Sequence, residues 1–540
     1  MHADAGRMAS DLSQRAVFRA ASGLAVLSGG GRVWSSDGAD YFQEAEVTNH
    51  VDVFVSHSWA ADRWMKHLAM CYFLNFGLSV KVTLAAVLLS QGIFFIYPEQ
   101  SISTLFVLVM DFPVLAFFLA FFFGQHLTCG RWCPSLWVDK LCIDQTDESA
   151  KQRGIASVPT TVSNSSELLV LWDETYFQRL WCNLELSIFA RRRGVKHVLL
   201  VPLWLAPWLL STMLLLYLEG RLMAIMWSLN PKMGIDVNAD DAQAATNVYM
   251  YGFQHMLDIL EAAPFYALLY LPMIPVSLTA FQAKLDGHAT LLADMESFDI
   301  RDAKCSVEED RQAIEMQVAE LFSLESSSIS RSKSTDSEDA AEETSILTQT
   351  EADLPAPAAS RSPQHEQCLN SFNLFVRGSL RDAIIDDWGL ETHLPWHICL
   401  LAWLPTMLCL TAVSWCAIDF YEEMGFTSQK QYLLVAGLEL WVCYPICLPL
   451  AHPWCLRSLR CVSSTQHARK ALLALCCAGV FVVVEAAAEL LTGSIESFAF
   501  TAQPAFLAIF VLIFVLTMQA CYMTFSPDAG KFSSRGLLRG

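Results

Sequence analysis

Long apolar runs constrain the fold of this chain more than any other feature of its sequence. A run of about 18 residues with few charges can cross the ~30 Å hydrocarbon core of a bilayer as a helix. The chain has 540 residues, of which 54% are hydrophobic, too large a share for an ordinary water-soluble protein. We therefore predict an α-helical multi-pass protein of about eight spans, in contact with the lipid bilayer. The apolar runs cover residues 78–97, 103–123, 203–225, 263–281, 396–417, 432–450, 471–491 and 504–523.

The distribution of basic residues predicts how these spans are oriented. The short loop at 451–470 carries four Lys and Arg residues and the C-terminal tail at 524–540 carries three, whereas the loops on the opposite side carry few. Basic loops stay on the cytosolic side of a membrane. Both termini are therefore predicted to be cytosolic. The 17 cysteines agree, since none lies in a loop predicted to face an oxidising compartment.

The polar parts of the chain separate into segments of different character. Residues 1–48 show little periodicity and are predicted to be poorly structured. Residues 283–390 form a second cytosolic region, within which 325–367 is rich in Ser, Glu, Ala and Pro and is predicted to be a disordered linker. The net charge of −20 argues against nucleic acid as a partner, because phosphate binding needs a basic surface.

Four short apolar runs outside the spans have the pattern of strands buried in a parallel sheet. They are VDVFV, LWVDK, LLVLW and HVLLV, and helical patterns separate them. They predict a cytosolic α/β domain in two parts, 49–77 and 126–202, divided by a transmembrane hairpin at 78–125. A second hairpin at 203–282, four helices at 391–523 and a cytosolic tail at 524–540 complete the predicted organisation.

Read together without the hairpin, the two parts resemble a TIR domain, the Toll/interleukin-1 receptor and resistance family. The matching residues are the DVFVSHS opening at 52–58, the second strand with Asp139, and the Tyr176, Trp181, Cys182, Glu185 string. The segment WVDKLCIDQ at 137–145 is also similar to the signature of the heterokaryon-incompatibility domain. The resemblance implies a flavodoxin-like parallel sheet, a role in signalling and self-association through this domain.

The same resemblance implies a catalytic role for Glu185. Trp181 and Glu185 fit the W-x-x-x-E pattern of NAD-cleaving TIR domains, in which the glutamate is the catalytic residue. A carboxylate can stabilise the oxocarbenium charge that develops on the ribose when nicotinamide leaves. The alternative is that Trp181 packs in the core and Glu185 is a solvated helix residue.

Further residues are candidates for holding NAD as the substrate. His57, Ser58 and Trp59 end the first strand, at the edge where open α/β sheets bind ligands, and Trp59 can stack on a ring. Asp139 follows the second strand and can accept hydrogen bonds from ribose hydroxyls, and by the resemblance Trp181 lies beside the cofactor. No metal is expected, because the membrane-proximal His126, Cys129, Cys133 and Cys142 lack a C-x-x-C pair.

Acidic residues within the apolar runs leave two other functions open. Asp111, Glu439, Glu485 and Glu489 are costly in a membrane and can line a cation path or join helices through hydrogen bonds. The protein can therefore be a channel or transporter that a non-catalytic TIR-like module regulates. It can also be a membrane scaffold without catalytic activity.

Overall fold

The computed structural model describes most of the apolar runs and most of the sheet-forming segments. The described residues are 18–35, 40–97, 101–229, 248–269, 271–305, 308–331, 363–461 and 468–526. The linker predicted at 325–367 lies largely outside them.

Within the described residues, six short strands form one mixed sheet. Their order in the sheet is β2-β1-β4-β3-β5-β6. All five residues of β3 are buried, as expected for a strand inside a sheet that is covered on both faces. The strands are β1 (Phe18–Ala21), β2 (Ala45–Thr48), β3 (Val53–His57), β4 (Leu136–Trp137), β5 (Glu167–Trp172) and β6 (Val198–Pro202).

Strands β3 to β6 are parallel and form the centre of the sheet. Val53 of β3 lies opposite Leu136 of β4 on one side and Glu167 of β5 on the other, and β6 pairs with β5. The VDVFV and LWVDK segments, which the hairpin separates in sequence, are thus neighbouring strands of one sheet. The chain leaves the sheet after β3, forms two long apolar helices and returns to the position beside β3.

The N-terminal region adds an antiparallel edge that the sequence does not predict. Residue Phe18 of β1 lies opposite Thr48 of β2, and Ala21 lies opposite Leu136 of β4. The described part of 1–48 therefore contains regular structure rather than the poorly structured chain that we expected. Local sequence carries little signal here, because both strands have only four residues and β1 reaches β4 across a long separation in sequence.

The helices comprise short ones around the sheet and long apolar ones. Asp62 caps the longest early helix, α2, by accepting hydrogen bonds from the backbone N–H groups of Trp64 and Met65. In chain order the helices are α1 (Gly23–Gly31), α2 (Arg63–Ile96), α3 (Ile102–Leu127), α4 (Asp139–Cys142), α5 (Glu148–Asn164), α6 (Leu180–Arg193), α7 (Leu205–Leu229), α8 (Val248–Leu269), α9 (Met273–Glu296), α10 (Glu308–Arg331), α11 (Pro363–Phe375), α12 (Arg381–Trp388), α13 (Trp396–Ala402), α14 (Leu404–Ala417), α15 (Gln429–Cys461), α16 (Ala468–Thr501) and α17 (Pro504–Phe525).

By length and composition, six helices among the described residues can cross a membrane. They are α2, α3, α7, α15, α16 and α17, and the bent pair of α13 and α14 raises the number to seven if it forms one span. The count is lower than the eight that the sequence predicts. Two predicted runs account for the difference: the run at 396–417 forms the bent pair, and the run at 263–281 is divided between α8 and α9, neither of which is among the six.

Helix α2 connects the sheet directly to the membrane-length part of the chain. It begins at Arg63, six residues after β3 ends, and continues without interruption to Ile96. One helix therefore runs from the first of the four parallel strands into the first apolar run. The amphipathic α10 packs on α6. It buries Ile314, Val318 and Phe322 on one face, so the region after α9 also belongs to the core around the sheet.

Candidate functional site

The carboxyl ends of β4, β3 and β5 meet at one edge of the sheet. In chain order the four parallel strands take the positions 2-1-3-4, so the connections from the neighbouring strands β3 and β5 run in opposite directions. Open α/β sheets bind ligands in the crevice that such a switch in strand order creates. We call this edge, lined by the residues that follow β3, β4 and β5, the crevice.

Two of the predicted residues meet the carboxylate of Asp139 in the crevice. The Nε2 atom of His57 lies 3.5 Å from Oδ1 of Asp139, and the indole N–H of Trp59 donates a 2.9 Å hydrogen bond to Oδ2. Burial acts to raise the pKa of Asp139. The nearby His57 and the hydrogen bond from Trp59 act in the opposite direction, and the net effect is a lowered pKa. Asp139 is therefore ionised at neutral pH, and its charge fixes the orientation of both rings.

Ser58 lies on the β5 side of the crevice and is joined to the residues that follow β5. The hydroxyl oxygens of Ser58 and Thr175 lie 2.7 Å apart, and both carboxylate oxygens of Asp173 lie within 3.0 Å of the same Thr175 hydroxyl, which donates its one proton to them. Burial raises the pKa of Asp173, although its bonds to Thr175 oppose that rise. The crevice thus has a carboxyl group on each side of β3.

Glu185 is held against Ser56, the next-to-last residue of β3 and the one before His57. Ser56 donates a hydrogen bond of 2.5 Å to its carboxyl, and the Tyr176 hydroxyl lies 2.8 Å from Ser56 Oγ. Since a hydroxyl has one proton, Tyr176 donates to Ser56 and Ser56 to Glu185. Burial raises the pKa of Glu185 to about 8 despite the bond from Ser56. Glu185 is therefore a half-buried acid whose carboxyl keeps its proton at pH values below about 8, not the fully solvated helix residue of the alternative interpretation.

A buried lysine completes the crevice. Lys66, in the first turn of α2, has no exposed surface, and its Nζ lies 5.4 Å from the centre of the Trp59 ring. This ammonium group has no hydrogen-bond partner, although it is within electrostatic range of Asp139 and Asp173. The positive charge of Lys66 can neutralise the two carboxylates or a phosphate group of a bound ligand.

Trp181 is separate from the residues that line the crevice. It is partly buried and packs against the main hydrophobic core. Its neighbour Cys182 instead faces β3, with Sγ 3.5 Å from the His57 carbonyl oxygen. Of the two residues in the W-x-x-x-E pattern, Glu185 therefore lies against the end of β3, and Trp181 packs on the core and supports the position of α6.

Several polar residues of the site were not among the sequence candidates. Asp173 could have been recognised, because it directly follows a buried strand just as Asp139 does. The sequence indicates the role of Ser56 more weakly. Its only sign is a small polar residue within an apolar strand. Lys66 gives no such signal, because a lysine in the first turn of a helix is ordinarily solvated.

No protein-family model, no curated protein and no solved structure matches the chain. Among the described residues, no three His, Cys, Asp or Glu side chains are placed to share a metal ion. A functional conclusion must therefore come from the geometry of the crevice and from the motifs in the sequence.

Proposed function

We propose that this protein is a multi-pass membrane signalling protein whose TIR-like sheet domain faces the cytosol and cleaves NAD. The observation that carries the proposal is the position of Glu185, a half-buried acid that accepts a hydrogen bond from Ser56, one residue before the end of β3 where a ligand-binding type of crevice begins. The order β4-β3-β5-β6 also agrees with the flavodoxin-like sheet that the TIR resemblance implies.

The residues around Glu185 suit the parts of a dinucleotide. The Trp59 ring is 44% exposed and is available to stack on a base or on the nicotinamide ring. Asp139 can accept hydrogen bonds from ribose hydroxyls, and Lys66 can attract the pyrophosphate. The positive charge of bound nicotinamide would favour the ionised form of Glu185, because an opposite charge lowers the pKa of a carboxyl group.

In the proposed reaction, the bond between the nicotinamide nitrogen and the ribose carbon breaks. The bonding electron pair leaves with nicotinamide, which becomes neutral, and positive charge develops on the ribose. The Glu185 carboxylate stabilises that charge. Water then attacks the ribose carbon and releases a proton to solvent, so the products are nicotinamide and ADP-ribose.

The direct test is NAD consumption by the full chain reconstituted at high density in membranes. High density matters because the TIR resemblance implies that copies associate to complete their sites. We expect the wild type to release nicotinamide and Glu185→Gln to release it at least about a hundredfold more slowly, the loss typical of a removed charge-stabilising group. Glu148→Gln is the matched control, since Glu148 lies on the exposed start of α5 in the same domain.

The expected rate for Glu148→Gln is that of the wild type. If the dense wild type consumes no NAD, or if Glu185→Gln consumes it equally fast, the enzymatic proposal is wrong. The domain would then be a scaffold or regulatory module that associates without turnover.

A further inference from the structure

One face of α16 carries a row of polar side chains inside the apolar bundle. Glu485, Glu489, Thr492 and Glu496 are spaced four, three and four residues apart, which places them on one side of the helix. The first three are at most 7% exposed. The row extends about 16 Å, roughly half the thickness of the hydrocarbon core. We call these four residues the acid stripe.

Neighbouring helices add further ionisable groups to the acid stripe. The Nε2 atom of His255 in α8 lies 2.9 Å from the carboxylate of Glu496, and both side chains are largely buried. Glu439 of α15 is within electrostatic range of Glu489 and Glu496, and its buried Oε1 has no hydrogen-bond partner. Glu219 of α7 is likewise within range of Glu485. Four helices thus direct acidic or basic groups to one region.

The buried hydroxyl of Thr492 has no hydrogen-bond partner in this stripe. Threonines in membrane helices usually bond to the carbonyl oxygen four residues earlier, as Thr517 of α17 does at 2.9 Å. A hydroxyl left unpaired in an apolar interior costs free energy. Its place between Glu489 and Glu496 allows it to accept a proton from one side and to donate one to the other.

Glu485 forms one end of the acid stripe. Beyond this end lies a second group of buried residues, which are basic. His452 has no exposed surface, and neither of its ring nitrogens has a hydrogen-bond partner. Its ring contacts Trp208 and Phe281, with ring centres 5.2 and 6.1 Å away. Such a site offers no structural reason for a histidine in place of a phenylalanine.

Helix α9 extends this second group. Lys284 and His288 follow Phe281 by three and seven residues, so all three lie on one face of the helix. Lys284 is 1% exposed and donates a hydrogen bond to the carbonyl oxygen of Glu391, and the buried Nε2 of His288 has no partner. His452, Lys284 and His288 therefore form a second buried polar row, here called the basic row.

Two aromatic rings separate the acid stripe from the basic row. Phe481 lies one helical turn before Glu485, and its ring centre is 6.1 Å from that of Trp403. Trp403 in turn is 5.6 Å from the His452 ring. A layer of two rings is thin enough to be opened by rotation of side chains, and when closed it interrupts any path through the bundle.

We propose that the acid stripe and the basic row are the two halves of a proton passage, with Trp403 and Phe481 as its gate. The three carboxyls and the Thr492 hydroxyl follow one another at about one helical turn along α16 and are not gathered around a point, which suits transfer of a proton from group to group. In each transfer an O–H or N–H bond to the proton breaks and one to the next acceptor forms, with water between side chains where they do not touch. Proton relays are the usual role of acid and histidine chains in membranes.

The proposal is tested with the full chain in vesicles that contain a pH-sensitive dye. An imposed pH gradient, with potassium and valinomycin to set a membrane potential of either sign, drives protons. We expect the wild type to dissipate the gradient faster than protein-free vesicles, and Glu489→Gln to slow this flux by at least about tenfold. Glu422→Gln, in the exposed turn between α14 and α15, is the matched control and keeps the wild-type flux.

Two further variants separate loss of the relay from loss of the fold. Thr492→Val has nearly the same shape and removes only the hydroxyl, and His452→Phe keeps an aromatic ring among its neighbours. Both are expected to slow the flux while gel filtration and circular dichroism stay unchanged. The proposal is overturned if wild-type vesicles are no leakier to protons than protein-free ones at either potential, or if all the variants conduct normally.

Discussion

The interior position of Glu185 predicts how the sheet domain responds to pH. The perturbation is Glu185→Gln, which keeps the size of the side chain and an oxygen that accepts the bond from Ser56. It removes the group whose pKa burial raises from 4.5 to about 8. Between these values the folded state keeps a proton that the unfolded state has released. The wild type is therefore at full stability below pH 4.5 and loses stability as the pH rises to about 8.

The full rise in the pKa of Glu185 corresponds to about 5 kcal/mol of unfolding free energy. Partial hydration of the ionised carboxyl reduces this, so we expect about 2–5 kcal/mol. Glutamine has no proton to lose. The difference in unfolding free energy between Glu185→Gln and the wild type should therefore shift by that amount in favour of Glu185→Gln between acidic and alkaline pH.

Hydrogen exchange is the suitable assay, because a large membrane protein does not unfold in one step. Protection of the β3 and α6 amides would be compared at pH 5 and 9, after correction for the intrinsic exchange rate. Glu148→Gln, on the exposed start of α5, should follow the wild type at both pH values. Equal protection changes in wild type and Glu185→Gln would refute the argument that Glu185 is a buried, protonated acid.

Three further results are expected. The value of kcat/KM for NAD cleavage, which reports the free enzyme, should rise with pH and level off above about 8, because ionised Glu185 is the active form; a value that falls over this range would contradict its role. Lys66→Met should raise the opening free energy that hydrogen exchange measures at the start of α2 by about 1–3 kcal/mol, because it removes a buried ammonium without a hydrogen-bond partner. Weaker protection would show that attraction to Asp139 and Asp173 dominates. The glycosylation sequon Asn164-Ser165-Ser166 should carry no glycan, because the sheet domain is predicted to face the cytosol. A glycosidase-sensitive mass shift that is absent from Asn164→Gln would show that the domain faces the opposite side of the membrane.

The sequence alone was sufficient where a structural feature depends on neighbouring residues. Most apolar runs became long helices, and the run at 471–491 lies within α16. The apolar segments VDVFV and LLVLW became β3 and β5, because strands covered on both faces need continuous apolar residues. The runs at 263–281 and 396–417 are exceptions, each divided between two helices, since apolar composition does not show where a helix will break.

Only the tertiary structure decided what surrounds each polar side chain. Glu148 and Glu185 are both helical glutamates in the sequence, yet one is exposed and the other accepts a hydrogen bond from Ser56, 129 residues away. His255 similarly meets Glu496 across 241 residues. The pKa and chemistry of an ionisable group depend on its burial and on its neighbours in space. Chain segments far apart in sequence supply those neighbours, so no local pattern reveals them.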